Sequence, residues 1–161
     1  MPSITLEQLN ASNRAALLAI KRDDISEDVV DSTETILELT QYGVDHGCIG
    51  HTYAIRYGTQ YAGIILMGEG IPWPCDPPEL AGIPFYRIMG FVVDQRYRNL
   101  GIGSQALEMT IQAIYEEYGP RPIALAVQES NLRAMRFYEA HGFVRNAAMD
   151  EDDCYFLRYP R

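Results

Sequence analysis

Basic residues and long apolar runs are both scarce in this 161-residue chain. Lysine and arginine number 13 against 22 aspartate and glutamate residues, which gives a formal net charge of −9. Because nucleic-acid phosphates are bound by basic surfaces, this balance argues against a nucleic-acid partner and tolerates cationic ones. The apolar run at residues 61–67 is far too short to span a bilayer, and no basic segment followed by an apolar one opens the chain. We therefore expect a cytoplasmic protein with no membrane partner.

Cysteine is also too sparse to suggest any special chemistry. Cys48, Cys75 and Cys154 are widely spaced and odd in number, and the chain has no Cys-x-x-Cys pair. Neither a disulfide framework nor a zinc site is indicated. We expect reduced thiols and a function that needs no metal.

The pattern of apolar residues predicts a single α/β domain over residues 1–161. The hydrophobic fraction of 47% is ordinary for a globular domain of this length. Patterns typical of strands and helices follow one another in the order strand, two helices, three strands, helix, strand, helix and two strands. Such an order predicts a mixed sheet with helices on its faces.

Local signals set the expected boundaries of these elements. The first helix can be capped by Asn10 or Ser12, and the second starts at Asp31, which has a glutamate three residues further on. Five prolines keep residues 69–84 out of regular structure. The later strands are expected at residues 51–57, 60–67, 85–93, 123–127, 143–149 and 154–159, and the later helices at residues 101–118 and 131–141.

A glycine-rich turn, residues 98–104, precedes the strongest helical pattern of the chain. Its main-chain N–H groups would point outward at the positive end of the helix dipole. Ser104 adds a hydroxyl group, and Arg98 or Arg96 adds positive charge. The turn therefore predicts an anion site able to grip a pyrophosphate. The alternative is that its two glycines merely shape the entry to the helix.

The same turn also fits a competing motif. Gly101, Gly103 and Ala106 match the dinucleotide fingerprint G-x-G-x-x-A, and Glu129 ends the next strand. In a dinucleotide-binding fold the first glycine follows the strand almost at once, whereas residues 94–100 intervene here. This spacing argues against a dehydrogenase.

The last predicted helix carries a polar face. Asn131 and Tyr138 are seven residues apart, so at about 100° per residue they differ by only ~20° around the helix axis. Ala134 lies between them on a similar face and leaves a gap. A cofactor tail could lie along this surface, although a tyrosine in such a position can also be a core residue.

Taken together, several short motifs resemble the GNAT superfamily of N-acetyltransferases, and in particular its small-molecule amine acetyltransferases. The resemblance covers residues 85–145, and the preceding residues match in layout but not in motif. Gly90 stands where that family has a bulge in a splayed central strand. The motifs are Val92-Val93-Asp94, Arg98-x-x-Gly101-x-Gly103, Asn131-x-x-Ala134-x-x-x-Tyr138 and Gly142-Phe143.

The resemblance implies a GNAT-like fold, with a mixed and mostly antiparallel sheet whose bulged central strand splays from its neighbour. It also implies acetyl-coenzyme A as co-substrate. The backbone around Phe91 and Val93 would contact the pantetheine arm and stabilise the oxyanion, and Tyr138 would protonate the departing thiolate. The residues expected to contact acetyl-coenzyme A are Phe91, Val92, Val93, Arg98, Asn99, Leu100, Gly101, Ile102, Gly103, Ser104, Asn131 and Tyr138.

The implied reaction is direct attack of a small-molecule primary amine, polyamine-like or aminoglycoside-like, on the thioester. Two alternatives stay open: an acetyltransferase that acts on a protein or peptide amine, and a non-catalytic acyl-coenzyme A sensor. The proline-rich residues 69–84, with Trp73, Phe85 and Tyr86, could form a wall of the acceptor pocket. They could equally form the contact of a homodimer.

The resemblance does not identify the base that deprotonates the amine. At pH 7 an amine with a pKa near 10.4 needs about 4–5 kcal/mol to lose its proton. Many GNAT relatives use a carboxylate on the strand before the bulge, but residues 86–90 contain none. Glu69, at the end of a strand, is our preferred catalytic base. The other candidates are a chain of waters and the carboxylates of Asp23, Asp24, Glu27, Asp28, Asp76 and Glu79.

Overall fold

The structure, a computed structural model, describes residues 2–27 and 29–161. The order of its strands and helices is the order predicted from the sequence. The strands are β1 (Ile4–Gln8), β2 (Gly50–Tyr57), β3 (Gln60–Glu69), β4 (Tyr86–Val93), β5 (Ile123–Gln128), β6 (Val144–Asp150) and β7 (Asp153–Arg158). The helices are α1 (Arg14–Leu18), α2 (Thr33–Asp45), α3 (Ile102–Tyr118) and α4 (Leu132–Ala140).

All seven strands form one sheet in the order β1-β2-β3-β4-β5-β7-β6. Five of the six neighbouring pairs are antiparallel, and the β4–β5 pair is parallel. Strands β4 and β5 pair only at Tyr86–Ile123 and Arg87–Ala124, where both strands begin. Beyond these residues the two strands diverge, so the sheet opens into a V at their carboxyl ends. The predicted splay of the central strand is confirmed.

The predicted bulge lies in β4, next to Gly90. Leu66 of β3 pairs with Gly90 and Met67 pairs with Ile88, so Met89 is the extra residue. A β-carbon on Gly90 would lie 2.5 Å from Cγ1 of Ile36 in α2. The bulge and the close approach of α2 together explain why a glycine stands at this position.

The bulge also decides which side chains face the two sides of the sheet. Met89 and the β-carbon position of Gly90 both lie on the side of α1 and α2, which interrupts the usual alternation. Phe91 and Val93 therefore face the side of α3 and α4, where they pack against the larger core. Val92 points the other way, into the smaller core beneath α1 and α2.

Some predicted boundaries were wrong in detail. The second helix is capped by Ser32 and not by Asp31, because the Ser32 hydroxyl accepts a 3.1 Å hydrogen bond from the Thr35 N–H group. The first helix contains only five residues, and neither Asn10 nor Ser12 is its N-cap, which is Asn13. Asn10 supports the turn instead by accepting a 2.9 Å hydrogen bond from the Asn13 N–H group.

The proline-rich segment holds slightly more structure than predicted. Its first residue, Glu69, still belongs to β3, and Pro78–Leu80 form one turn of 3₁₀ helix. Among residues 2–27 and 29–161, no helix is both long and apolar enough to cross a membrane.

Candidate functional site

A groove of about 510 Å³ lies beside the carboxyl end of β4, where β4 has diverged from β5. The glycine turn and α4 line it, together with residues of the α1–α2 loop. This volume is within the usual range of small-molecule sites. Ten of the twelve residues predicted to contact the cofactor line the groove: Phe91, Val93, Arg98, Asn99, Gly101, Ile102, Gly103, Ser104, Asn131 and Tyr138.

The other two predicted residues, Val92 and Leu100, are not part of the groove wall. The side chain of Val92 is buried in the core on the opposite face of the sheet, and Leu100 is 45% exposed at the tip of the turn. The alternation of side chains along β4 explains the first case. The position of Leu100 at the tip of the turn explains why it does not line the groove.

Left-handed backbone shapes the glycine turn. Asn99 has a φ of 63° and Gly101 a φ of 76°, so the chain reverses immediately before α3. The Gly101 carbonyl accepts the first helical hydrogen bond, from Gln105 at 3.2 Å. The N–H groups of Ile102, Gly103 and Ser104 precede that bond and lie at the positive end of the helix dipole, against the groove. The predicted anion-binding geometry is therefore present.

Arg98 supplies the positive charge of the groove. Its Nε donates to the Val93 carbonyl at 3.1 Å, and its Nη1 pairs with the Asp24 carboxylate. The Nη2 atom is buried without a hydrogen-bond partner among the described residues. Burial lowers the pKa of the guanidinium, and the neighbouring charges of Arg133 and Arg22 lower it further. Such a donor fits an anionic ligand, because an unpaired buried N–H group is costly.

A series of side-chain hydrogen bonds fixes the Ser104 hydroxyl group, and the sequence did not reveal it. His141 Nε2 lies 3.0 Å from Ser104 Oγ, and His141 Nδ1 lies 3.0 Å from Glu108 Oε1. Arg158 donates to both oxygens of Glu108, at 2.9 and 3.2 Å. These residues come from α3, the end of α4 and β7, so no sequence spacing connects them. His141 thereby holds Ser104 at the groove.

Asn131 and Tyr138 share one face of α4, as their spacing predicts, and both line the groove. Asn131 is the N-cap of the helix, where its Oδ1 accepts from the Ala134 N–H group at 3.2 Å. Tyr138 is 9% exposed, and its ring lies against Phe137 and Phe143. Burial raises the pKa of its phenol well above the ordinary value. The phenol therefore stays protonated at physiological pH, and no described residue accepts its proton in a hydrogen bond.

A second, acidic cavity of about 210 Å³ opens beside the groove. Three carboxylates line it, those of Glu27, Asp31 and Asp153. Burial raises the pKa of Asp153, and the charges of its acidic neighbours raise it further. The two cavities have several walls in common: Val29, Val30, Phe91, Asn131, Ala134 and Tyr138. Any molecule in the acidic cavity would meet the groove at Phe91 and Tyr138.

Comparison with known proteins assigns this arrangement to a family. The family model described as "Acetyltransferase (GNAT) family" matches residues 16–143. The chain belongs to the GNAT family of acetyltransferases. It is an acyltransferase, and acetyl-coenzyme A is its co-substrate.

Individual relatives of this GNAT chain are distant. A spermine/spermidine N(1)-acetyltransferase of Bacillus subtilis (strain 168) is 26% identical over 148 residues, 92% of each chain. A PaiA N-acetyltransferase of Thermoplasma acidophilum, solved with coenzyme A, has a TM-score of 0.72 at 15% identity and covers 98% of this chain and 99% of its own. An aminoglycoside acetyltransferase AAC(6′)-Ib, also solved with coenzyme A, has a TM-score of 0.73 at 18% identity over 98% and 95% of the two chains.

A third cavity of this GNAT domain, about 600 Å³, contains the predicted base Glu69. Trp73 also lines it and stacks on the Arg87 guanidinium, 3.8 Å from the ring centroid. Met89 is the one described residue that lines both this cavity and the acidic one. The structure therefore does not bring Glu69 into the cavity of Tyr138. Phe85 and Tyr86, predicted to stand in the acceptor wall with Trp73, are instead buried in the core.

Three of the other six carboxylates predicted as candidate bases of the acetyltransferase are already engaged. Burial alone would raise the pKa of Asp76, but hydrogen bonds from Arg87, the Trp73 N–H group and Tyr155 outweigh it and lower that pKa. Asp76 pairs with Arg87 through two bonds of 3.0 and 2.8 Å. Asp24 pairs with Arg98, and Glu79 accepts a hydrogen bond from Asn146. Glu27 lines the acidic cavity, and Asp28 lies outside the described residues.

Proposed function

We propose that this protein acetylates a primary amine of a small polycation, of the polyamine kind, by direct attack of the amine on acetyl-coenzyme A. One observation carries the proposal: the groove that fits the coenzyme and the acidic cavity meet at Phe91 and Tyr138. A cationic amine in one cavity would thereby face a thioester in the other. This arrangement provides both substrates of an acetyl transfer with adjacent sites.

The coenzyme end of the groove matches the charge of a diphosphate. The N–H groups at the start of α3 and the Ser104 hydroxyl would donate to its oxygens, and Arg98 would add a charge-assisted hydrogen bond through Nη2. The pantetheine arm would then run along β4, past Phe91 and Val93, where β4 has lost its pairing with β5. The polar face of α4, with Asn131, would flank the arm.

The chemical step needs an oxyanion donor and an acid. A main-chain N–H group of β4 beyond the bulge would stabilise the oxyanion, because the splay frees backbone groups on that edge. Tyr138 would protonate the departing thiolate. Its raised pKa makes the phenol a weaker acid, but the same dry surroundings also make the thiolate more basic. A phenol is protonated at neutral pH, so the proton is present when the thiolate forms.

Four observations support a polycationic acceptor. The chain carries a net charge of −9, and carboxylates line the cavity beside Tyr138. The cavity has a volume of only about 210 Å³, which suits a linear amine better than a larger molecule with several rings. The Bacillus subtilis relative bears the name of a spermine/spermidine acetyltransferase. Aminoglycosides share the charge of polyamines but are bulkier, so we rank them second.

The test is thiol release from acetyl-coenzyme A with a panel of polyamines, aminoglycosides, amino acids and peptides. We expect turnover to be fastest with a linear polyamine, and Tyr138→Phe to lower kcat about 100-fold with little change in acetyl-coenzyme A affinity. Turnover on peptides alone would refute the small-molecule acceptor. Tight binding of the coenzyme without turnover on any amine would identify a sensor. The homodimer contact predicted for residues 69–84 stays a prediction, which light scattering after size exclusion can check.

A further inference from the structure

We propose that Asp153 is the general base that deprotonates the acceptor amine. This inference rests on the proposed function and names a residue for the one role that the sequence left open. Asp153 lines the acidic cavity together with Phe91 and Tyr138. It would thus face an amine on the same side from which that amine attacks the thioester.

The position of Asp153 follows from the sheet topology. It begins β7 and pairs with Gln128, the last residue of β5. The carboxyl end of β5 is one arm of the V, since β4 and β5 pair only where they begin. Asp153 therefore lies at the open end of the V, across the gap from the bulged part of β4.

Tyr138 connects the acidic cavity to the groove that would hold the coenzyme. The residue is more than nine-tenths buried, and it forms part of the wall of both the groove and the acidic cavity. Its hydroxyl group makes no hydrogen bond with a described residue, and it is not one of the buried polar atoms that lack a partner, so it is accessible from the cavities. The phenol can therefore donate a hydrogen bond to a molecule that enters either cavity.

Electrostatic surroundings adapt Asp153 to the role of a base. Burial is the largest cause that raises its pKa, and the charges of Asp150, Asp152, Asp31 and Glu151 follow. Glu27 of the α1–α2 loop and Tyr138 of α4 also face the cavity. A raised pKa brings the carboxylate closer to neutral pH, where a general base is most effective. The same negative field attracts the cationic amine.

The proton balance of the reaction closes with these two residues. Asp153 takes one proton from the ammonium group, and the neutral amine forms a bond with the thioester carbon. When the carbon–sulfur bond breaks, Tyr138 gives its proton to the thiolate, and the phenolate recovers one from the new amide nitrogen. Asp153 then releases its proton to solvent. The sum is an acetylated amine, free coenzyme A thiol and one proton.

Glu69 offers a matched control. It is also a carboxylate at the end of a strand, but it lines the 600 Å³ cavity and not the cavity of Tyr138. Asp153→Asn and Glu69→Gln are the same change of acid to amide. Comparing them separates the loss of a specific base from the loss of one negative charge near the acceptor.

The experiment measures kcat and KM for acetyl-coenzyme A and spermidine, used as the probe amine, between pH 6 and pH 9. For Asp153→Asn we expect kcat at pH 7 to fall about 100-fold, the lower end of what a general base contributes. The ratio of the wild-type kcat to the Asp153→Asn kcat should decrease as the pH rises, because each pH unit supplies about ten times more neutral amine. Acetyl-coenzyme A affinity by calorimetry and the urea midpoint should stay close to wild type. Glu69→Gln should keep the wild-type kcat.

Several results would overturn the assignment. An Asp153→Asn enzyme with wild-type kcat, or a deficit that stays constant with pH, would remove Asp153 from the proton transfer. An equal loss of kcat in Glu69→Gln would also exclude Asp153 as the specific base. Asp153→Ser serves as a second variant should the amide disturb folding. If wild-type protein binds acetyl-coenzyme A but acetylates no amine, the proposed function itself fails, and that outcome is visible before any variant is measured.

Discussion

The role of Arg98 can be tested by Arg98→Gln, which removes its charge and leaves a polar side chain. In the structure Nε donates to the Val93 carbonyl, Nη1 pairs with Asp24, and Nη2 is buried without a partner. We interpret Nη2 as the donor to a coenzyme phosphate. The substitution removes that donor and the positive charge together.

The expected magnitudes differ for binding and for stability. A hydrogen bond to a charged group contributes about 1.5–3 kcal/mol, so the Kd for acetyl-coenzyme A should rise roughly 10- to 150-fold. The Asp24 carboxylate is 49% exposed, and its pair with Arg98 contributes at most about 1 kcal/mol to folding. Losing the Val93 bond costs about 1 kcal/mol, which the removal of an unpaired buried donor partly offsets. We therefore expect affinity to change much more than stability.

Isothermal calorimetry with acetyl-coenzyme A and urea unfolding measure the two quantities. Arg96→Gln is the matched control, since Arg96 belongs to the same turn but pairs with buried Asp94 and does not line the groove. It should lower the free energy of unfolding and leave the Kd almost unchanged. Equal losses of affinity in both variants would show that the net charge of the turn matters and the position of Arg98 does not. An unchanged Kd in Arg98→Gln would refute the reasoning outright.

Two further predictions concern the framework of the site. Gly90→Ala places a β-carbon 2.5 Å from Ile36 Cγ1 and should lower the free energy of unfolding by about 1–3 kcal/mol. In urea unfolding, the double variant Gly90→Ala/Ile36→Ala should lose less free energy of unfolding than the two single variants lose together. Strict additivity would contradict the contact. Burial would raise the pKa of Asp94, but hydrogen bonds from Arg96 and from the Lys21 N–H group outweigh it and lower that pKa. A carboxylate whose pKa is lower in the folded state stabilises the fold at pH values above its unfolded-state pKa, which is near 3.9. This stabilisation is lost as the pH falls further. Asp94→Asn should therefore be less stable than wild type at pH 7. Urea midpoints of the two proteins should converge in acid, and a gap independent of pH would exclude this linkage.

Local signals in the sequence determined the elements and half of the site. Apolar periodicity predicted every strand and helix in order, and Gly90 marked the bulge of β4. The anion-binding geometry of the turn at residues 98–104 was predictable because consecutive backbone groups make it. The shared face of Asn131 and Tyr138 followed from helical geometry alone. In each case the residues that act together are also close in sequence.

Tertiary structure alone decided which residues from distant segments meet at the site. Asp153 joins Tyr138 in one cavity because β7 pairs with β5 and β5 diverges from β4, and strand pairing across a sheet leaves no trace in local sequence. Glu69 was predicted as the base from its place at a strand end, and it lines a cavity that shares Met89 alone, among the described residues, with the cavity of Tyr138. The acidic run at residues 150–153 was a visible signal, but only the fold shows that its last carboxylate lines the same cavity as Tyr138. The chemistry of each side chain can be read from the sequence one residue at a time. The distances from the carboxylates of Glu69 and Asp153 to the Tyr138 phenol are instead set by the packing of the whole sheet.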